Sequence, residues 1–355
     1  LREMLADQQG PNLLGTRDKI KLIYIDPPFA TRQDFMKDKE KAYRDKVLGS
    51  QFIEFLRRRF ILLRELLADD GSLVVHLDQK KGHYIKATLD EVFGETNFVN
   101  EIVWRRFSST GSSKAISNKF PINHDTLYWY SRSDSYSYKR QYSKYSKAYL
   151  SRFKYDDDDG RGPYRISDLK SYSEKKLSQL RDDGRLVESK TIGAHYGYKR
   201  YLTELQGIVL DDVWTDIFAI NPMAEEKLDY PTQKPEELIE RLIRALTPGD
   251  GIVLDAFAGS GTVPAVAEKL GLRWIAIDCG KLAIYTMQKR LSSLITTVGA
   301  MKKDERAEPE RVEDWNDHLK NAPAVLLITE KARKGECDIT LELLEDMASF
   351  VKKHG

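Results

Sequence analysis

Strand and helix signals alternate in two separate blocks of this chain, residues 20–100 and 235–294, with a long polar stretch between them. In the first block, Lys21 to Asp26 reads as a buried strand. Gln51 to Ala68 places Phe52, Phe55, Leu56, Phe60, Leu63 and Leu67 at helical spacing. Asp70-Gly71 is expected to end that helix, Ser72 to Leu77 to form the next strand, and Lys81 to Phe93 the next helix. In the second block a helix covers Pro235 to Leu246, with proline at its first turn, and Thr247-Pro248-Gly249-Asp250-Gly251 breaks it. A strand (Ile252 to Asp255), a helix (Thr262 to Leu270), a strand (Arg273 to Asp278) and a helix (Leu282 to Leu294) follow. This rhythm predicts an α/β fold: one doubly wound sheet assembled from both ends of the chain.

The polar stretch, from Phe107 to about Phe218, has its own composition. Thirteen of the 18 tyrosines fall between Tyr128 and Tyr201, which marks it as a distinct module. Ser131 to Lys154 holds seven Lys or Arg against one Asp, interleaved with Tyr136, Tyr138, Tyr142, Tyr145 and Tyr149. Basic side chains neutralise phosphates, and tyrosines reach backbone or bases. The same pattern also fits a solvated face with tyrosines turned to a core. Lys139, Arg140, Lys144 and Lys147 are the candidate contacts, joined by Arg105 and Arg106 at the entrance to the module. Asp156 to Asp159, followed by Gly160-Arg161-Gly162-Pro163, reads as a solvated loop.

No apolar run reaches transmembrane length and no signal-peptide pattern opens the chain, so no membrane partner is expected. Cys279 and Cys337 alone make neither a disulfide framework nor a zinc cluster, and a reducing, cytoplasmic setting is the expectation. His124 has no second His or Cys at ligand spacing, so no metal site is expected. The chain opens on Leu1, which predicts a start inside a longer polypeptide. A net charge of +2 means that any contact with nucleic acid depends on where the charge lies.

Two motifs carry chemistry. Asp26-Pro27-Pro28-Phe29 directly follows the apolar run Leu22-Ile23-Tyr24-Ile25. A carboxylate at the C-terminal end of a buried strand points into the crevice where open α/β sheets bind ligands. The prolines stiffen the backbone that follows, and the aromatic can cover a flat ring. Together they suit a planar amine: acceptors for an NH2 group and one stacking face; a helix cap after the strand, with the prolines as turn formers, is the alternative. The second motif, Asp255-Ala256-Phe257-Ala258-Gly259-Ser260-Gly261-Thr262, lies between a strand and a helix. Its glycines let a ligand approach the backbone, but it lacks both the dinucleotide GxGxxG pattern and the GK[ST] of a phosphate loop. Asp278 ends the next strand, 17 residues after Gly261, close to the separation of about 20 expected for an acid that binds ribose hydroxyls. A helix cap or a solvated acid is the alternative for Asp278.

These motifs resemble those of the amino-group DNA methyltransferases, which act on N6 of adenine or N4 of cytosine. The resemblance covers roughly residues 20–295, in the permuted order with the catalytic block first, as in type III modification subunits. Asp26-Pro27-Pro28-Phe29 matches the DPP[YF] motif, and Asp255, Phe257, Gly259 and Gly261 match the D-x-F-x-G-x-G cofactor loop. Tyr230-Pro231-Thr232-Gln233-Lys234-Pro235 matches the T-x-K-P segment that helps wall the S-adenosylmethionine pocket. His124 to Tyr130 resembles the block that closes the first half of the catalytic domain. Ala30-Thr31-Arg32 departs from the Asn-Thr-Gly of many relatives, and Phe29 replaces the commoner Tyr.

The resemblance implies a Rossmann-like methyltransferase fold with an inserted target-recognition module. The implied division is a catalytic half at 1–106, the recognition module at 107–225, a cofactor half at 226–296 and a C-terminal extension at 297–355. It implies S-adenosylmethionine bound by Asp255, Phe257, Gly259, Ser260, Gly261, Thr262, Asp278 and Lys234. It implies double-stranded DNA as substrate, with the target base flipped out of the stack. Asp26, Pro27, Pro28 and Phe29 would grip the target amine. The opening Asp favours adenine-N6, because cytosine-N4 members more often begin that motif with Ser. Cytosine-N4 transfer, or a modification or specificity subunit of a restriction complex, are the alternatives. A restriction subunit and a second copy of the chain are the implied protein partners.

Overall fold

The computed structural model describes residues 1, 4–5, 16–27, 34–37, 40–44, 49–108, 118–169, 172–188, 195–228, 230–292, 294, 325–326 and 341–342. The chain forms two compact units: Leu1–Lys139 with Asp211–Gly355, and Arg140–Leu210.

A seven-stranded sheet organises the larger unit. Its strands are β1 (Ile20–Ile25), β2 (Leu67–Leu77), β3 (Phe98–Arg105), β4 (His124–Ser131), β5 (Val213–Trp214), β6 (Ile252–Asp255) and β7 (Arg273–Ala276). They lie in the order β5-β3-β4-β2-β1-β6-β7. Only β4 runs against its neighbours. The two ends of the chain meet where β1 pairs with β6, Ile23 opposite Leu254 and Tyr24 opposite Asp255.

Side chains leave successive strand residues on opposite faces, and the core follows that period. Leu22, Tyr24, Val74, Trp129 and Val253 pack on one face with helices α3 (Glu236–Leu246), α4 (Thr262–Lys269) and α5 (Lys281–Ser292). Ile23, Ile25, Val75, Tyr128 and Leu254 pack on the other with α1 (Gly49–Leu66) and α2 (Gly82–Phe93). Phe52, Leu56, Phe60 and Leu63 of α1 are all buried, as their helical spacing requires. Each such side chain contributes about 1.5–3 kcal/mol. With helices on both faces, the sheet is doubly wound.

Three local readings need correction. The first strand ends at Ile25, one residue earlier than expected, which leaves Asp26 beyond the hydrogen-bonded ladder. Asp70-Gly71 does not separate a helix from a strand. β2 begins at Leu67, and Ala68 to Gly71 form a bulge, because Ile20 faces Leu67 while Leu22 already faces Ser72. Lys21 holds the bulge through an ion pair with Asp70. Finally, the compact smaller unit is narrower than the 107–225 module. His124–Ser131 is a central strand between β2 and β3, and Val213–Trp214 extends the sheet beyond β3. β4 belongs to the core because Leu127, Trp129 and Tyr130 are buried there.

The smaller unit contains a three-stranded antiparallel sheet of Tyr164–Asp168, His195–Tyr201 and Leu186–Glu188. Ser173 caps its helix Glu174–Asp182 by accepting the Lys176 N–H. Aromatic rings and guanidinium groups fill its interior. Tyr164 lies 5.4 Å from Tyr201, and the Arg161 and Arg185 guanidinium groups lie 4.7 and 5.3 Å from the Tyr201 ring. Such contacts cover polar heads with ring faces and explain how a Tyr- and Arg-rich sequence closes a small core.

Candidate active site

The strands present their chemistry along one edge of the sheet, the C-terminal edge of β1, β2, β3, β6 and β7. Asp26 follows β1, and the glycine loop follows the adjacent β6. Pro27 is buried behind Asp26. Pro28 and Phe29 lie outside the described residues.

Asp26 has two differently used oxygens. Oδ2 is ion-paired with Lys234 Nζ, across 208 positions of sequence. Oδ1 is buried and accepts no hydrogen bond from any described residue. A buried acceptor without a donor costs free energy, so the arrangement is poised for an incoming N–H. Lys234, expected in the cofactor wall, therefore reaches the Asp26-Pro27 motif. Two residues before it, Thr232 adopts φ 68°, a left-handed conformation that a β-branched residue rarely takes. Backbone strain of this kind collects where a site imposes its geometry.

The glycine loop is shaped by its backbone. Gly259 and Gly261 have φ values of 50° and 73°, and a Cβ on Gly261 would come within 2.7 Å of Met287 Cγ. Only glycine suits Gly261. Asp278 closes the loop: its carboxylate accepts the N–H groups of Gly259 (2.9 Å) and Gly280 (2.7 Å). It thus acts as a cap, while remaining partly exposed at the end of the strand neighbouring β6. Asp255 is buried and accepts the Phe257 N–H at 3.0 Å. Burial pushes the Asp255 carboxyl well above its ordinary range; the Phe257 N–H opposes this, and the charges of Asp26 and Asp278 add to it.

Ser260 and Thr262 face inward. Their hydroxyls lie 3.2 Å apart, and Arg290 Nη1 donates to Thr262 Oγ1 at 3.0 Å. Arg290 and Lys269 both bind Glu236, at 2.7 and 2.5 Å, and all three side chains are buried. This cluster ties α3, α4 and α5 together directly beneath the loop. Phe257 is partly buried against the α1 side of the core, with its ring 6.4 Å from that of Phe55.

A second buried chain of polar groups starts two residues before Asp26. Tyr24 Oη lies 2.8 Å from His76 Nδ1, His76 Nε2 lies 3.3 Å from Asp125 Oδ2, and Asp125 Oδ1 lies 3.5 Å from Arg106 Nε. Burial, then the Lys234 charge, hold His76 below its ordinary pKa. Burial raises Tyr24, so its phenol stays protonated. The neutral imidazole therefore accepts from Tyr24 and donates to Asp125. Burial acts to raise Asp125, but the His76 hydrogen bond, with the charges of Lys234 and Arg106, brings its carboxyl below the usual range. Sequence reasoning missed this chain. The available signal was a His and an Asp inside strongly apolar strands, since buried polar groups need partners.

Of the residues expected to meet DNA, Arg105 donates to the carbonyls of Phe107 (3.0 Å) and Ser108, holding its own loop. Arg106 is engaged with Asp125 as above. Lys139 is exposed and ends the first segment of the larger unit. Arg140, Lys144 and Lys147 are exposed on the smaller unit.

The DNA methylase family (N6_N4_Mtase) matches residues 20–289. The type II methyltransferase M.EcaI of Enterobacter cloacae is 32% identical over 300 residues, covering 77% of this chain and 65% of that protein. The Mod subunit of the type III restriction-modification enzyme StyLTI of Salmonella typhimurium is 24% identical over 303 residues, covering 69% of this chain and 46% of that protein. The chain thus spans between about half and two thirds of the length of these curated relatives. Among solved structures, the M1.HpyAVI–SAM complex aligns over 77% of this chain and 89% of its own at 18% identity, with a TM-score of 0.43. The family match spans both halves of the sheet and both motifs, and the chain belongs to the N6/N4 DNA methylase family.

Proposed function

We propose that this chain transfers a methyl group from S-adenosylmethionine to the exocyclic amine of a base flipped out of duplex DNA, and that the base is adenine. The observation that carries the reading is Asp26: one carboxylate oxygen paired with Lys234, the other buried and accepting no hydrogen bond from any described residue. An NH2 group supplies the missing donor. The Pro27 carbonyl is the second acceptor in this scheme, and Phe29 the stacking face. Holding both amine protons turns the nitrogen lone pair away from the ring, and most of the gain is alignment. The Asp26 carboxylate also offsets the positive charge that grows on the nitrogen.

The residues at the ends of β6 and β7 fit a nucleoside cofactor. The left-handed turn at Gly259–Gly261 brings bare backbone to the crevice, and the partly exposed Asp278 offers an acceptor to ribose hydroxyls. Bound there, S-adenosylmethionine supplies an electrophilic methyl on a sulfonium. The buried Glu236–Lys269–Arg290 cluster holds the loop in shape for it.

Asp at the head of the DPP[YF] motif supports adenine over cytosine. The Mod-subunit relative supports a restriction subunit as partner. The recognition module, on this reading, includes the exposed Arg140, Lys144 and Lys147. The test is to incubate the protein with methyl-labelled S-adenosylmethionine and duplex DNA, digest, and identify the labelled nucleoside. N6-methyladenine is expected. N4-methylcytosine would overturn the choice of base, and no label in DNA would overturn the activity.

A further inference from the structure

Beside Asp26, on the side away from the glycine loop, the sheet edge holds a second concave feature. It is an open cavity of about 350 Å³, lined by Asp78, Lys80, Arg106, Lys119, Phe120 and Asp125 among others. That volume lies at the small end of ligand pockets, about 300–1,000 Å³. Asp78 follows β2, Asp125 sits in β4 and Arg106 follows β3. The edge therefore runs from the cofactor loop through Asp26 to this cavity. At about 4.8 Å per strand, β3 stands roughly 14 Å from β1.

The cavity brings three cations, Lys80, Arg106 and Lys119, against two carboxylates. Asp78 accepts the Lys80 backbone N–H at 3.0 Å and lies 3.9 Å from Lys80 Nζ, and Asp125 lies between His76 and Arg106, so the five side chains together carry one net positive charge. Arg106 keeps 31% of its side chain exposed while its Nε is buried toward Asp125. A guanidinium fixed by one edge suits a tetrahedral anion, which it can hold through two parallel N–H bonds.

The fixing chain is unusual for what it connects. Asp125, His76 and Tyr24 are 4%, 0% and 2% exposed, and Tyr24 shares its strand with the residue just before Asp26. The Tyr24–His76–Asp125 hydrogen bonds hold the Asp125 carboxylate in place, and its 3.5 Å link to Arg106 is an ion pair, since Nε has no hydrogen-bond partner among the described residues. Together these contacts tie the arginine at the cavity to the strand that presents the reacting carboxylate.

We propose that this cavity holds a backbone phosphodiester of the DNA strand close to the target nucleotide, with Arg106 as its anchor, and that the Asp125–His76–Tyr24 chain is a positioning device that fixes the anchor's distance from Asp26. The proposal rests on the reading of the protein as a DNA amine methyltransferase.

Duplexes carrying one neutral methylphosphonate, moved position by position along the target strand, test it. In the wild-type protein one position lowers kcat/KM by about tenfold or more, with the other positions mild. Arg106→Gln loses that position's penalty and keeps the others, and its slope of log Kd for DNA against log salt falls by about one. Tyr24→Phe removes one hydroxyl from the chain and keeps the ring. It lowers kcat by about tenfold with the phosphonate profile and cofactor affinity unchanged. An Arg106→Gln protein with the wild-type phosphonate profile would overturn the anchor. A Tyr24→Phe protein with wild-type kcat would overturn the positioning chain. A wild-type protein that transfers no methyl to any duplex would instead overturn the underlying function, while the salt slope of binding still reports on the anchor.

Discussion

At the scale of single residues, the site is an arrangement of acids with different duties. The position of Asp26 after a buried strand was legible from its motif, although a carboxylate there before prolines reads equally as a helix cap. Its partner was not: Lys234 and Asp26 are joined only by the sheet, and the motif containing Lys234 pointed to the cofactor wall. Asp278 was legible as an acid at a strand end, but its capping of Gly259 and Gly280 depends on loop geometry that spacing does not encode. Asp255 gives a pH test. Burial raises its carboxyl above the unfolded value, so the folded state binds the proton more tightly. The associated stability is present below pH of about 4 and is lost as pH rises through the folded value. Asp255→Asn mimics the protonated acid and carries no such slope. Its melting temperature relative to wild type should climb from pH 4 to pH 8; a constant difference would contradict the assignment.

At the scale of elements, the helices were readable because their apolar stripes are long, and α1 shows it with Phe52, Leu56, Phe60 and Leu63 all buried. Replacing Phe60 with Ala should cost about 3–5 kcal/mol, read from denaturant midpoints. β4 was harder to place. Its sequence, His124 to Ser131, sits inside a polar stretch and resembles its surroundings in tyrosine content. Only its pairing with β2 and β3 makes it a core strand. The bulge in β2 was hidden because Asp-Gly is a turn signal as readily as a bulge signal. The Glu236–Lys269–Arg290 cluster shows how helices are joined below the loop. Glu236→Gln leaves two buried cations poorly compensated and should cost about 3–5 kcal/mol. All five tryptophans fall in the residue ranges of the larger unit, so their fluorescence follows its unfolding. A midpoint equal to wild type would show that the cluster is dispensable.

At the scale of the whole molecule, the order of motifs is the main result. The Asp26-Pro27-Pro28-Phe29 motif comes more than 200 residues before the glycine loop, yet β1 and β6 are neighbours in one sheet. The alternation of strand and helix signals in two blocks was enough to foresee that sheet, and the two motifs were enough to foresee that both lie along one edge of it. The extent of the smaller unit was not foreseeable, since composition changes at Phe107 while compact folding begins at Arg140. On the proposed mechanism, Asp26 Oδ1, which accepts no hydrogen bond from any described residue, holds the amine that accepts the methyl group. The most direct measurement compares wild type with Asp26→Asn for methyl transfer to duplex DNA and for binding of S-adenosylmethionine. Transfer should fall by about a thousandfold or more while cofactor affinity stays within about twofold. Near-normal transfer by Asp26→Asn, or a loss of cofactor affinity that accounts for the lost activity, would contradict it.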